Sequence, residues 1–185
     1  NLGNGPGKPS EQSEQGHGAG NGGHGSGGAS ETGLPSLVHL LGGSSGGSSD
    51  QDGSGAGGGA IGLIASGKVK IEPNVYLSAN GGNGVRSSAS GAGGSIRIDA
   101  QSIENLGRIE AKSGQGVKLS GTSQTRGSSG GRVALHAQAQ IHLGEVNVDG
   151  EWMTNRGSIF AGGSYYASSL DLNEGTLIFD TKSGC

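Results

Sequence analysis

Hydrophobic and polar residues alternate over short stretches that recur after residue 57. Alternation with a period of two over about four to eight residues indicates a half-buried strand, with one side facing a core. The inward positions carry mostly β-branched or aliphatic residues, which suit a pleated, packed surface. Because no stretch shows the spacing of an amphipathic helix, we predict strands and negligible helix. The inward pairs are Ile61 and Leu63, Val75 and Leu77, Ile96 and Ile98, Ile109 and Ala111, Val133 and Leu135, Val146 and Val148, and Leu177 and Phe179.

A repeat of roughly 35 residues, within the range of solenoid repeats, arranges these stretches in pairs. Each unit begins at a Gly pair, holds two alternating stretches joined by a short polar corner, and ends in a Gly/Ser-rich loop. One unit has too few apolar atoms to form a core, but equivalent strands of stacked units can pair in parallel and bury them. We therefore predict an all-β, Gly-rich parallel β-helix over residues 58–184. The predicted units are 58–92, 93–129, 130–161 and 162–184.

Residues 1–57 lie outside the repeat, and we predict a Gly/Ser-rich extended segment here. We expect it to be ordered as a long loop that packs on the β-helix or on a neighbouring molecule. The glycines allow two interpretations: turns and corners that need a positive φ, or extended polyglycine-II-like strands that pack closely. The stretch 16–28 is the best candidate for the second interpretation.

Composition narrows the class of protein. Glycine occupies 43 of 185 positions, while hydrophobic residues make up 30% and aromatic residues 3%. An ordinary globular domain has about 45–50% apolar residues with glycine counted in. Here glycine supplies much of that share, so a thick core is not expected. The net charge is −3 and the basic residues are scattered, which argues against nucleic acid as a partner. No apolar stretch is long enough to span a bilayer, so we predict no membrane insertion.

Several phrases of the sequence resemble a known kind of protein. GGGAIGLIASGKVKI, LSANGGNG, GAGGSIRIDA and SSGGRVALHA are similar to glycine-rich β-solenoid repeat regions of very large secreted microbial and protist proteins. They also resemble the coils of filamentous-haemagglutinin-like adhesins. This resemblance implies a right-handed parallel β-helix, an extracellular or cell-surface location, and a scaffold, fibre or adhesive role. No catalytic residue and no cofactor come with it.

A weak calcium candidate lies at Asp50, Asp52 and Ser54. The spacing of these oxygen-bearing residues, with Gly55 following, matches the opening of a D-x-D-x-S-G calcium loop. However, Ile61 occupies the position at which such a loop needs a bidentate Glu, and no flanking helix is predicted. The pattern favours a plain polar turn, so we predict no metal ion.

Four carboxylates are candidates for catalysis, since parallel β-helices also host polysaccharide lyases and hydrolases. Such enzymes need acidic residues clustered on one face of adjacent coils. The candidates are Asp99, Glu110, Glu145 and Asp149. Aligned positions of neighbouring units carry Ala or Gly, which favours isolated surface charges. We therefore predict that the protein is not an enzyme.

Aromatic residues gather late in the chain, where Trp152, Tyr165 and Tyr166 are candidates for an interface or a glycan contact. They can stack on sugar rings, or they can cover the end of the array or contact a neighbouring subunit.

The lone cysteine, Cys185, is a candidate cross-link to another chain segment or to a partner. A single cysteine says little about the redox compartment.

Together these features favour an extracellular structural protein, a building block of a filament, appendage or matrix. We expect it to self-associate or to bind other extracellular structural proteins. The alternative is an adhesin-like module that binds glycans or surfaces. Absence of catalytic motifs and the family resemblance carry this expectation, and no single residue demonstrates it.

Overall fold

The computed structural model describes residues 5, 21, 33–34, 36–47, 53–85, 88–116, 127–150, 157–167 and 176–180. Within these ranges the chain forms nine β-strands and no helix. The strands are β1 (Ala60–Ile64), β2 (Lys68–Ile71), β3 (Tyr76–Ser78), β4 (Ser95–Asn105), β5 (Arg108–Glu110), β6 (Arg132–Leu143), β7 (Glu145–Asn147), β8 (Ser158–Ala167) and β9 (Thr176–Asp180).

The nine strands form two sheets, and all neighbouring strands are parallel. The large sheet has six strands in the order β1, β4, β6, β8 and β9, with β2 also beside β4. The small sheet contains β3, β5 and β7 in that order. Because parallel neighbours need a long connection between them, each pairing joins residues far apart in the sequence.

Apolar residues lie level with one another across the large sheet. Ile61 of β1 pairs with Ile96 of β4, Ile96 pairs with Val133 of β6, and Val133 pairs with Ile159 of β8. Ile96, Val133 and Ile159 are fully buried. The alternation seen in the sequence therefore becomes rows of apolar side chains that cross the sheet. The matching row of the small sheet consists of Leu77, Ile109 and Val146.

The expected parallel β-helix is wrong. The structure has two parallel sheets of unequal size, and these sheets do not form a solenoid. The polar corner predicted after Ile98 is part of one strand, because β4 continues to Asn105 and pairs with both β1 and β2. The register shifts between Ala100 and Ser102, so the alternation changes phase there without ending the strand. A phase change within a strand was therefore mistaken for a corner.

The core lies between the two sheets, where buried side chains of both form one cluster. Its members are mostly Ile, Val, Leu and Ala, which agrees with the low aromatic content. A strand that buries one or two aliphatic side chains can be stabilised only by the strands beside it. The buried members are Ile71, Ala79, Ile96, Ile98, Ala100, Ile103, Ile109, Ala111, Val133, Leu135, Ile141, Leu143, Val146, Val148 and Ile159.

Gly-rich segments near the strands hydrogen-bond to one another through their backbones. Donors recur every three residues along a segment, which is the period of the extended polyproline-II-type helix. This is the polyglycine-II-like arrangement, although the stretch 16–28 lies outside the described residues except for Asn21. The bonds include those from Gly43 to Gly58 (2.8 Å), Gly46 to Gly55 (3.0 Å), Gly55 to Ala89 (2.9 Å) and Gly58 to Ala92 (2.9 Å). We call these segments, 42–47, 53–58 and 88–94, the glycine array.

Close approach explains why the array needs glycine. A Cβ atom on Gly58 would overlap the carbonyl oxygen of Ala79 and the amide nitrogen of Gly94. At the next residue, Gly59, a Cβ atom would meet nothing within 4 Å. Glycine is thus required where segments touch and is replaceable where they do not. The predicted division of the chain at residue 57 stays a prediction.

Candidate functional site

A charged network lies on the outer side of the small sheet and is centred on Arg108. Tyr76, Arg108 and Glu145 lie level on strands β3, β5 and β7. Arg108 Nε is 2.7 Å from Glu145 Oε1, and its Nη1 is 3.4 Å from Glu110 Oε1. The guanidinium carbon lies 5.5 Å from the centroid of the Tyr76 ring, within range of a cation–π interaction. One guanidinium therefore joins all three strands.

Glu110 is the most enclosed carboxylate of this network, with 8% of the residue exposed. Its Oε2 accepts a 2.9 Å hydrogen bond from Asn80 Nδ2, and Lys112 Nζ lies 3.3 Å from Oε1. Burial alone would raise the pKa of Glu110, but the hydrogen bonds from Asn80 and Lys112 and the charges of Lys112 and Arg108 outweigh it. The net effect is a pKa below the ordinary value.

The network corrects the expectation that these carboxylates are isolated. Glu110 and Glu145 are both held by Arg108, whereas Asp99 lies on the large sheet, 2.8 Å from Arg97 Nε. A general acid needs a pKa near the working pH, and the pKa of Glu110 moves the other way. This geometry suits a fixed ion-pair network that ties strands together. Partly exposed ion pairs of this kind contribute little individually.

A second polar surface lies on the large sheet, at β2, β4 and β6. Lys68 forms an ion pair with Glu104, and Lys70 Nζ lies 2.9 Å from Glu72 Oε1. The hydrogen bond from Lys68 lowers the pKa of Glu104, and the bond to Glu72 raises the pKa of Lys70. An open depression of about 150 Å³ lies here. We call it the polar depression, and it is lined by Lys68, Ser102, Ile103, Glu104, Gln140 and His142.

Asparagine side chains clamp the backbone of the Gly-rich segments, a role that the sequence did not reveal. Asn21 is buried, and its Nδ2 donates to the carbonyl oxygens of Gly93 (2.6 Å) and Gly94 (3.0 Å). Its amide donates to Ser129 Oγ at 2.7 Å. The amide side chain replaces the water that extended backbone groups would otherwise bind. The signal was an Asn among glycines, which is also common in ordinary turns.

Two further asparagines act in the same way in the phrase SANGGNG. Asn80 Oδ1 accepts from the amide of Lys112, and Asn83 Oδ1 accepts from the amide of Gln115, both at 2.8 Å. Asn80 and Asn83 are three residues apart, so both lie on the same side of an extended segment with three residues per turn. Their spacing matches that of the amides they bind.

The segment 36–41 is fastened to the large sheet by two side chains. Arg97 Nη1 donates to the carbonyl oxygen of Leu37 at 2.7 Å, and His136 Nε2 lies 2.9 Å from the carbonyl oxygen of Ser36. Leu37 is buried with a positive φ of 50°. A leucine in this backbone region is uncommon and is tolerated here because its side chain is packed.

Of the residues singled out for a metal site, an interface, a glycan contact or a cross-link, the structure describes only Ser54, Tyr165 and Tyr166. Tyr165 and Tyr166 lie on β8, level with Ile141 and His142 respectively. Tyr165 thus shares a register position with buried residues, and Tyr166 shares one with the polar depression. Ser54 is half-buried within segment 53–58 of the glycine array. The other candidates, Asp50, Asp52, Trp152 and Cys185, lie outside the described residues.

The described residues contain neither a metal-binding cluster nor a membrane-spanning helix. Within those ranges no group of three or more His, Cys, Asp or Glu side chains could hold a metal ion. In the same part of the chain no helix is long and apolar enough to cross a membrane.

No protein-family model matches the chain, and neither the curated proteins nor the solved structures include a match.

Proposed function

We propose that this chain is an extracellular structural protein, a building block of a filament, appendage or matrix. The observation that carries the proposal is the glycine array, in which backbone hydrogen bonds join segments such as 42–47, 53–58 and 88–94. Adjacent segments approach so closely that side chains are excluded from many positions. An array of closely packed backbone with only small Ser and Ala side chains provides mechanical order and offers little chemistry.

The polar groups agree with this role. Arg108 is engaged by Glu110 and Glu145, and Glu104 is engaged by Lys68. Each of these pairs joins neighbouring strands or holds charge within one strand, so the charged side chains stabilise the sheets and keep the surface soluble. Charges on the strands also oppose unwanted lateral association of the exposed sheet faces.

Native material tests the proposal. Antibodies against the chain should locate the protein outside the cell or on the cell surface. Negative-stain imaging of the purified native protein should show elongated or polymeric particles. A compact, monodisperse globule recovered from the soluble cell fraction would contradict the proposal.

The polar depression supports a second candidate, an adhesin-like module that binds glycans. A depression of about 150 Å³ with hydroxyl, amide and charged groups suits the hydroxyls of one sugar ring. Tyr166 lies level with His142 at this surface. A glycan array probed with the wild-type chain and with Glu104→Gln, Tyr165→Ala, Tyr166→Ala and Trp152→Ala tests it. Binding that is lost in Glu104→Gln supports the candidate, and no binding to any glycan removes it.

A further inference from the structure

Strand β1 lies at one edge of the large sheet and, among the described residues, pairs only with β4. The amide of Ser95 bonds to the carbonyl oxygen of Gly59 (3.1 Å), and the amide of Ala65 bonds to that of Asp99 (2.9 Å). In a parallel ladder every second residue of a strand bonds to the same neighbour. The odd-numbered residues of β1 therefore bond to β4.

The even-numbered residues of β1 direct their N–H and C=O groups to the open edge. They are Ala60, Gly62 and Ile64, all exposed, with Ile64 at 87%. Proteins usually protect such an edge with Lys, Pro or a bulge. Ala60–Ile64 contains no charged residue and no proline. By contrast, the neighbouring edge strand β2 carries Lys68 and Lys70.

The apolar side chains of β1 are only half covered. Ile61 and Leu63 are partly buried and pack against the core. Their partners on β4, Ile96 and Ile98, are fully buried, because β4 has a strand on each side. One more parallel strand with apolar residues at two alternate positions would complete the cover of Ile61 and Leu63.

The chain carries such a strand at the opposite edge of the same sheet. Strand β9, within the described residues, pairs only with β8. Leu177 lies level with Ile159, in the row that begins at Ile61. Phe179 lies level with Ala161, in the row that begins at Leu63. The outer strands β1 and β9 therefore carry apolar residues at the same register positions, and the two strands run in the same direction.

We propose that β1 is the docking site for β9 of a second copy of this chain. A copy displaced along the sheet brings its β9 beside β1 in the parallel direction, with Thr176 opposite Ala60 and Asp180 opposite Ile64. The apolar rows then continue from one copy into the next. Because the two edges differ, the contact is heterologous, and because each copy is displaced along the sheet from the one before, repeated contacts do not close and produce a filament. This inference rests on the proposed structural function and names its contact.

Cysteine cross-linking tests the contact and its register. In a Cys185→Ser background, Ile64→Cys and Asp180→Cys lie on adjacent strands at the same level, about 4.8 Å apart, within reach of a disulfide. Mild oxidation of the double variant should give a ladder of covalent oligomers. Mixing the two single variants should give covalent dimers that contain one of each chain.

A shifted pair provides the matched control. Ile64→Cys with Thr176→Cys places the cysteines four residues out of level, about 13 Å apart, which a disulfide cannot span. Cross-linking of the shifted pair at the rate of the level pair would overturn the register. A level pair that gives no cross-link would overturn the contact.

A proline at the edge tests the hydrogen bonds. Ile64→Pro removes an N–H that points to the open edge and leaves the β1–β4 ladder intact. Ile64→Ser keeps the N–H and removes the same side chain. Sedimentation velocity should show at least a tenfold loss of assembly for the proline variant and much less for the serine variant. Melting curves of both show whether the fold persists.

The outcomes separate this inference from the proposed function. Filaments in native material together with a proline variant that still assembles would overturn the β1–β9 contact alone. A purified chain that stays monomeric would also overturn docking of a second copy, while native filaments would leave the structural function standing. Native protein that is compact and intracellular would overturn the proposed function itself.

Discussion

The amide of Gly58 donates a 2.9 Å hydrogen bond to the carbonyl oxygen of Ala92. The carbonyl oxygen of Gly58 in turn accepts from the amide of Gly43 at 2.8 Å. Three segments are thus joined through one residue that has no side chain. The next residue along the chain, Gly59, lies at the surface with free space around its Cα. Gly58 is therefore a glycine that the packing requires, whereas Gly59 is one that the packing does not require.

Gly58→Ala should destabilise the protein and Gly59→Ala should not. The added methyl group at residue 58 meets the backbone of Ala79 and Gly94, which cannot move without breaking the array. Overpacking of this kind costs about 1–3 kcal/mol or more. The surface substitution should change the free energy of unfolding by about 0.5 kcal/mol at most. Urea denaturation of both variants checks the difference, and equal stability would mean that the array is not close-packed.

Ile98→Ala should be among the most damaging apolar truncations. Ile98 is fully buried between the two sheets, so the truncation leaves a cavity that costs about 2–5 kcal/mol. Val38→Ala serves as the control, because Val38 is 61% exposed and should matter by about 0.5 kcal/mol or less. Both are measured as free energies of unfolding in urea. A small effect at Ile98 would show that the core cluster is loosely packed.

Acid should weaken the small sheet through Glu110. The folded state lowers the pKa of Glu110 below the ordinary value of 4.5, so the unfolded chain binds the proton more tightly. The resulting stabilisation is present above pH 4.5 and is lost as the pH falls through the lower folded-state value. Glu110→Gln should therefore lose stability at pH 7 and show a flatter decline than the wild type as the pH falls below 4.5.

Urea denaturation of wild type and Glu110→Gln across this pH range provides the measurement. Asn80→Ala is a useful comparison, since Asn80 donates a hydrogen bond to Glu110 and should share part of the acid effect. Parallel pH profiles for wild type and Glu110→Gln would show that Glu110 does not carry the acid sensitivity.

Asn21→Ala should release residues near the N-terminus from the Gly-rich segments. The substitution removes both hydrogen bonds to Gly93 and Gly94, and loss of such buried partners costs about 1–3 kcal/mol. Asn21→Asp should be at least as harmful, because it places a carboxylate against two carbonyl oxygens. Hydrogen exchange should rise in both variants at the backbone amide of residue 21, which donates to Ser129 Oγ in the wild type. Unchanged exchange would show that Asn21 does not hold these segments.

Strands were predictable here because their signal is local. Ile96 and Ile98 alternate with polar residues, and the same side chains are buried in β4. The continuation of β4 to Asn105 was not predictable from this alternation, since the phase changes between Ala100 and Ser102. Ile103 lies level with Val69 of β2 and Ile141 of β6. These partners are distant in sequence, so the local pattern does not predict the register.

Polar contacts were less predictable than strands. Glu110 and Glu145 are separated along the chain by the whole of β6, and only the pairing of β5 with β7 brings both to Arg108. Asn21 is a stronger example, because its hydrogen-bonding partners Gly93 and Gly94 lie in the segment before β4. Long-range contacts of single side chains leave no periodic signal in the sequence.

The sequence by itself determined that the protein is built from strands with thin apolar rows, because alternation and composition act within a few residues. The sequence also indicated that the glycines have a structural role. Only the tertiary structure decided which glycines lack room for a Cβ atom, as at Gly58, and that the strands form two parallel sheets and not a β-helix. The physical reason is that backbone contacts and strand pairing depend on residues distant in sequence, which is a property of the folded chain.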